Sequence, residues 1–217
     1  MSLRINDTAP DFTADTTDGP ISFHDWVGDG YAVLFSHPKD FTPVCTTELG
    51  MMAGMADEFA ARDAKIIGIS VDPVEDHHRW KDDIKAYTGN AVGYPMIGDP
   101  EMKVAKLYGM MPAEETRTEG RTPADNQTVR TVFIVGPDKK VKLNLTYPMT
   151  TGRNFDEILR ALDSIRLTAQ HQVATPAGWQ QGEDVIVTAA VSDEDAKARF
   201  GGFDKKLPYL RTTKQPG

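Results

Sequence analysis

Cysteine is almost missing from this sequence: Cys45 is the only one in 217 residues. A lone cysteine cannot close an intramolecular disulfide, form a CxxC redox pair or build a multi-cysteine zinc site. Whatever chemistry this thiol performs proceeds without a cysteine partner in its own chain. Basic charge is also short, with 24 Lys+Arg against 32 Asp+Glu and a formal net charge of −8. The longest basic clusters are the pairs Lys139-Lys140 and Lys205-Lys206. That distribution excludes the clustered positive footprint of a nucleic-acid binder. Long apolar runs are missing too; the best reach about five to seven residues, far below the roughly 18 of a membrane span. The start, MSLRINDTAPDF, has no apolar core of signal-peptide length, and Asp7 and Asp11 argue against an Arg-rich transit peptide, so it reads as a cytoplasmic start. Glycine and proline, 18 and 14, are near background, which excludes collagen-like and low-complexity classes.

What is present is ordinary globular material, 40% hydrophobic and 26% charged, enough to bury a core. At roughly 150 residues per domain the chain holds about 1.4 domains, which suits one domain with an appendage better than two equals. Tyr31 to Phe35 and Lys65 to Val71 read as buried strands. Helix-period segments run from about Pro43 to Arg62 and from Val74 to Tyr87. Asp99 as N-cap with Pro100 in the first helical position predicts a short helix to about Tyr108. Val129 to Val135 and Val141 to Tyr147 read as a hairpin about the Gly136-Pro137-Asp138-Lys139 turn. Asn154-Phe155-Asp156-Glu157 has capping-box form and opens a helix to about Thr168, with Ile158, Leu162, Ile165 and Ala169 at helical spacing. Strand–helix–strand units followed by a hairpin predict an α/β fold of thioredoxin-like type, a mixed sheet flanked by helices. The core domain is expected to span 1–170. Residues 171–217 would form a small C-terminal extension, with a strand at Val185 to Val187, a Ser192-led helix and a Pro208-to-Arg211 tail.

The decisive stretch is His37-Pro38-Lys39-Asp40-Phe41-Thr42-Pro43-Val44-Cys45-Thr46-Thr47-Glu48-Leu49. Thr42 is a good N-cap and Pro43 a good first residue, which puts Cys45 third in a helix, where backbone N–H groups are still unpaired. The helix dipole and those free amides favour a thiolate there. A lone cysteine is otherwise a small buried hydrophobe, but this capped position is expected to be partly exposed and suited to an anion.

Pro38-x-x-x-Thr42-x-x-Cys45 resembles the peroxidatic-cysteine motif of the peroxiredoxins, and the wider His37-to-Gly50 string resembles their 1-Cys subfamily. Ser70 to His77, Val135 to Leu143, Tyr147 to Leu159 and Val173 to Pro176 extend the likeness from about Asp11 almost to the end of the chain. The resemblance implies a thiol-dependent peroxidase without metal or other cofactor. Cys45 would be the nucleophile, Thr42 would hydrogen-bond the sulfur or the peroxide, and Pro38 would shield the thiolate from water. Arg130 would bond both sulfur and peroxide, and Glu48, three residues after Cys45, would orient that arginine. His37 and Arg153 would stand near the pocket. Two-cysteine relatives resolve the sulfenic acid with a second cysteine. None exists here, so the reductant must come from outside as glutathione, glutaredoxin, thioredoxin or ascorbate. The resemblance also implies a homodimer, with the extension as a plausible interface element.

Some members of the subfamily carry a phospholipase-type Gly-x-Ser-x-Gly site. Here that place reads Gly28-Asp29-Gly30-Tyr31-Ala32, with no serine hydroxyl, although His24 and Asp138 match the partner positions. Lipase activity is therefore not expected. A metal site on Asp76-His77-His78 would need ligands at i and i+4, so a solvated helix face is the better reading. Met51, Met52 and Met55 read as core or interface filler, and Met110-Met111 as a candidate apolar lining of the approach to the site. A non-catalytic holdase and a cysteine hydrolase are the competing function classes.

Overall fold

A computed structural model describes residues 3–113 and 127–217. The chain divides into two compact units, Met1–Phe155 and Asp156–Gly217, so the boundary falls before the Gln170 limit read from the sequence. In the first unit the elements are β1 (Thr13–Thr16), β2 (Gly19–Ser22), α1 (Phe23–Val27), β3 (Tyr31–Ser36), α2 (Pro43–Gly54), α3 (Ala56–Ala60), β4 (Ala64–Ser70), α4 (Val74–Thr88), β5 (Met96–Gly98), α5 (Lys103–Leu107), β6 (Arg130–Val135) and β7 (Val141–Tyr147). They build a seven-stranded sheet in the order β2-β1-β5-β4-β3-β6-β7. It is mixed, as the alternation of elements predicts. β3, β4 and β5 run parallel through helical crossovers, and β6 returns antiparallel against β3 and β7.

The central strands are apolar because they are covered on both faces. Ala32, Val33, Leu34 and Phe35 of β3 and Val132 to Val135 of β6 are all buried. On one side of the sheet Phe23, Leu34, Ile67, Tyr108 and Phe133 share a core cluster. Met110 lies fully inside that cluster and Met111 packs against it, so this pair belongs to the core and does not line an approach to the thiol. Met52 and Met55 are buried while Met51 faces out.

Several boundaries differ from the sequence reading for local reasons. The helix expected to reach Arg62 breaks at Met55, whose backbone leaves the helical region (φ −96°, ψ 3°) just after Gly54, and resumes as α3. α5 opens at Lys103 and not at Pro100, because Met102 takes a left-handed conformation at φ 56°. Asp99 still serves that helix: its two carboxylate oxygens accept from the Lys103 and Ala105 amides at 2.8 and 2.7 Å. β1, β2, α1 and β5, at three to five residues each, are too short to have left a periodic signal.

α6 (Phe155–Gln170) leads into the second unit, which continues with β8 (Val173–Ala174), β9 (Val185–Val187), α7 (Asp193–Phe200), β10 (Asp204–Leu207) and β11 (Leu210–Thr213). The four strands pair antiparallel in the order β10-β11-β9-β8. What reads as a Pro208-to-Arg211 tail is thus the turn and return strand of a hairpin. Leu167, Val173, Trp179 and Val185 form its core with Phe200, which also packs on Val187, Val191 and Ala196. Ser192 caps α7 as expected, accepting from the Asp195 amide at 3.0 Å. Among the described residues no helix is long and apolar enough to cross a membrane.

Candidate active site

Cys45 is the third residue of α2. Together with Glu48, Leu49 and Met52 it occupies the i, i+3, i+4, i+7 face that the helix buries. That placement overturns the expected partial exposure: the cysteine is 0% exposed, because the face that carries it is the one turned inward. Thr42 has the extended backbone of an N-cap (φ −120°, ψ 146°), yet its side chain does not cap the helix. Its hydroxyl donates to the Lys39 carbonyl at 2.8 Å. Since a carbonyl can only accept, the hydroxyl hydrogen is committed there, and the oxygen lone pairs remain available to accept.

Across from the helix start, the first residue of β6 supplies the cation. Arg130 Nη1 donates to Cys45 Sγ at 3.4 Å and to Glu48 Oε2 at 2.6 Å, and its Nε donates to the Met149 carbonyl at 2.7 Å. Read alone from the sequence Arg130 is an exposed strand-end residue; in the structure it is buried. Arg153 joins the same carboxylate. Its backbone N and Nε donate to Glu48 Oε1 at 2.8 and 2.9 Å, and its Nη2 to Oε2 at 2.7 Å. Nη1 reaches the Thr131 carbonyl at 3.1 Å. The Arg153 guanidinium also lies over the Phe35 and Phe155 rings at 5.1 and 5.3 Å. Glu48 therefore holds two guanidiniums at once. Burial acts to raise its pKa, but the hydrogen bonds and charge of Arg153, with the charge of Arg130, outweigh it and hold the carboxyl below its usual range.

Pro38 is buried in the loop between β3 and α2. The loop is pinned through Asp40, whose carboxylate bridges two histidines: His37 Nε2 at 2.6 Å and His77 Nδ1 at 2.5 Å. The Asp40 amide donates to Asp72 Oδ2 at 2.9 Å, and Ser70 Oγ donates to the same oxygen at 2.8 Å. Phe41, next in the loop, holds the left-handed φ of 54°, a conformation strained for a bulky side chain. His77 is 0% exposed, so the solvated-face reading fails for it. It shares the inward face of α4 with Trp80 and Ile84, a spacing the sequence displays. His37, Asp40 and His77 offer ligand atoms within 4.8 Å of one another. The N–O separations of 2.5 and 2.6 Å suit shared protons, whereas an ion bonded to both atoms at about 2 Å each would spread them further.

The structure thus brings Cys45, Glu48, Arg130 and Arg153 into one hydrogen-bonded cluster. Pro38 and Thr42 lie on the loop that leads into the Cys45 helix, and His37 is tied to Asp40 of that loop. From the sequence alone Asp40 and Asp72 have no assigned role and His77 falls on a solvated face, and the Met149 and Thr131 carbonyls carry no side-chain signal at all. The phospholipase-type positions do not assemble a site. A Cβ on Gly30 would stand 2.6 Å from the Asp63 carbonyl. His24 Nε2 lies 2.8 Å from the Ala9 carbonyl, and Asp138 pairs with Lys142 at 2.7 Å.

Comparison with known proteins shows the family of the chain. Residues 5–144 match the AhpC/TSA family, and residues 164–202 match the C-terminal domain of 1-Cys peroxiredoxin. The chain is 51% identical over 224 residues to peroxiredoxin-6 of Rattus norvegicus, covering 99% of this chain and 98% of that protein. It is 50% identical over 219 residues to the 1-Cys peroxiredoxin PER1 of Triticum aestivum, covering 98% of each. Among solved structures, peroxiredoxin 6 of Arenicola marina superposes with a TM-score of 0.91 at 46% identity, over 99% of both chains. A yeast mitochondrial 1-Cys peroxiredoxin, described with a thiol resolving mechanism via glutathione/thioredoxin systems, gives 0.88 at 49% identity over 98% of this chain and 99% of that one. The chain belongs to the 1-Cys peroxiredoxins, the thiol-dependent peroxidases of the AhpC/TSA family.

Proposed function

We propose that Cys45 is the peroxidatic nucleophile of this peroxidase and that Arg130, Thr42, Pro38 and Glu48 serve it, with His37 and Arg153 completing the pocket. The observation that carries the reading is the buried Sγ at the start of α2 with a guanidinium nitrogen at 3.4 Å. The Cys45 thiolate attacks one oxygen of a hydroperoxide; an S–O bond forms as the O–O bond breaks, and the electron pair leaves on the second oxygen, which takes up a proton. Arg130 stabilises both the thiolate and the departing oxyanion, as a fixed donor in a dry site. Thr42, its hydrogen committed to Lys39, accepts the hydroperoxide O–H and so orients the O–O bond along the line of attack. Pro38 keeps water from the sulfur. Glu48 and Arg153 hold Arg130 in place. Hydrogen peroxide and alkyl hydroperoxides are the substrates.

Regeneration of the sulfenic acid falls to an external reductant, because the chain has no second thiol. Glutathione or a thioredoxin-type protein is favoured by the likeness to the yeast relative, with glutaredoxin and ascorbate as the alternatives. A homodimer in the cytoplasm, serving antioxidant defence, completes the proposal. Stopped-flow mixing with hydrogen peroxide, followed by sulfenic-acid trapping, tests it. Rapid oxidation that maps to Cys45 and vanishes in Cys45→Ser is expected; reaction at the rate of a free thiol would overturn it. A holdase would keep its action in that variant, and a hydrolase would cleave an ester or peptide without peroxide.

A further inference from the structure

Buried in the same unit is a chain of three titratable groups, of which the proposed peroxidase pocket uses only His37. His77 Nε2 faces the Ile97 carbonyl at 3.0 Å and its Nδ1 faces Asp40 Oδ2 at 2.5 Å. Both partners only accept, so both ring nitrogens are satisfied only when both carry hydrogen, as in the imidazolium. Asp40 is the matching anion. Its burial acts to raise its pKa, but the hydrogen bonds from His37 and His77 outweigh it and hold the carboxyl well below the usual range. For His77 burial acts downward and is outweighed by the Asp40 hydrogen bond and charge, so its pKa is raised. The other oxygen of Asp40 accepts from His37 Nε2 at 2.6 Å. That places the His37 hydrogen on Nε2 and leaves Nδ1, which is buried and has no hydrogen-bond partner.

We propose that His77 is a positioning residue of the peroxide pocket: as a buried imidazolium it keeps Asp40 ionised and His37 neutral, with a bare Nδ1 lone pair awaiting an O–H donor. The idea rests on reading the 37–42 loop as part of the pocket. The charged groups facing the pair are Asp40 from that loop and Asp72 from the end of β4, whose pKa is raised by burial and by the charge of Asp40. The His37 and His77 rings are 5.8 Å apart, so a second imidazolium beside the first is repelled. A buried acceptor with no partner in the protein is costly unless a ligand or water completes it, and a hydroperoxide O–H or a water is the chemical class that fits.

Nitrogen-15 NMR of the histidine side chains in the resting protein reads the tautomers directly. At neutral pH His77 is expected with both nitrogens protonated, and His37 with Nε2 protonated and Nδ1 bare. A neutral His77, or a His37 that carries its hydrogen on Nδ1, would overturn the proposal, and neither result needs a variant that folds. In His77→Gln the buried cation that pairs with Asp40 is gone, which leaves the carboxylate without its charged partner. The rate of Cys45 oxidation then gains an ionisation, falling about tenfold per pH unit on its acid side. A folded His77→Gln protein with an unchanged pH profile would also overturn it. Because the NMR readout requires no turnover, failure of the peroxidase reading and failure of this proposal are told apart.

Discussion

Glu48 sets one buried negative charge against two buried guanidiniums, Arg130 and Arg153. Removing one partner of a buried pair strands the other charge, so Glu48→Gln is expected to cost about 3–5 kcal/mol in urea unfolding. Arg130→Met removes the donor at the sulfur, and a loss of about 10²–10³ in the rate of Cys45 oxidation is expected by stopped flow. The same charges set the pH dependence of stability. Glu48 and Asp40 are depressed, so their stabilisation is complete above the unfolded values of about 4 and is lost as the pH falls toward the folded ones. Asp72, raised, works in the opposite sense over that acid range. His77 is raised, so its stabilisation is complete below about 6.5 and fades as the pH climbs through its folded value. Urea midpoints against pH should therefore fall on both limbs, and an alkaline limb unchanged in His77→Gln would remove His77 as its cause. At this scale the sequence was legible where one motif carries the chemistry, from Pro38 to Glu48. Arg130 and Arg153 could be matched by likeness, but their burial and shared carboxylate come from separate elements meeting in space.

At the scale of the element, α2 matters most, and it is clamped beyond its catalytic turn. The Tyr94 hydroxyl donates to the Leu49 carbonyl and the Asn90 amide to the Gly50 carbonyl, each at 3.0 Å. Gly50 lies against Thr88 at the end of α4, where an added Cβ would come within 2.6 Å of the Thr88 Cβ. Gly50→Ala is accordingly expected to destabilise by about 1–3 kcal/mol through overpacking. Tyr94→Phe should cost about 1 kcal/mol, the net worth of one hydrogen bond. Both are read from denaturant midpoints. A fully buried sulfur needs a local opening to meet a bulky thiol. A large maleimide should therefore label native Cys45 far more slowly than the unfolded chain, and labelling at the unfolded rate would exclude gating. The helix start itself was legible in Thr42-Pro43. The clamp was not, because Tyr94 and Asn90 lie in a loop with no periodicity.

Over the whole molecule, one thiol and no internal resolving partner mean that excess peroxide has nowhere to stop. Peroxide-treated protein is expected to gain two and then three oxygens at Cys45 by intact mass, as the sulfenic acid advances to sulfinic and sulfonic acid. Spectra with no added oxygen would dismiss this. The second unit is proposed to carry the dimer contact, so a chain ending at Gln170 should sediment as a smaller species than the full chain; an unchanged dimer would end that role. Here the sequence reading was least complete. The strand at Val185 and the capped helix at Ser192 were visible, but Asp204–Leu207 is exposed throughout with a single apolar residue, so its pairing with Leu210–Thr213 left no apolar alternation to detect.

The sequence by itself determined the class of fold, through apolar strands alternating with capped helices, and it pointed to Cys45 as the proposed nucleophile through the likeness of Pro38-x-x-x-Thr42-x-x-Cys45 to the peroxidatic motif. It also determined that reduction must come from elsewhere, since no second thiol exists. The tertiary structure decided what surrounds that sulfur. Burial, the sharing of Glu48 between two arginines, and the His37–Asp40–His77 chain join residues from α2, α4, β6 and the loops beside them. Those distances arise only when the sheet is assembled, because strand order and not chain order brings these residues together.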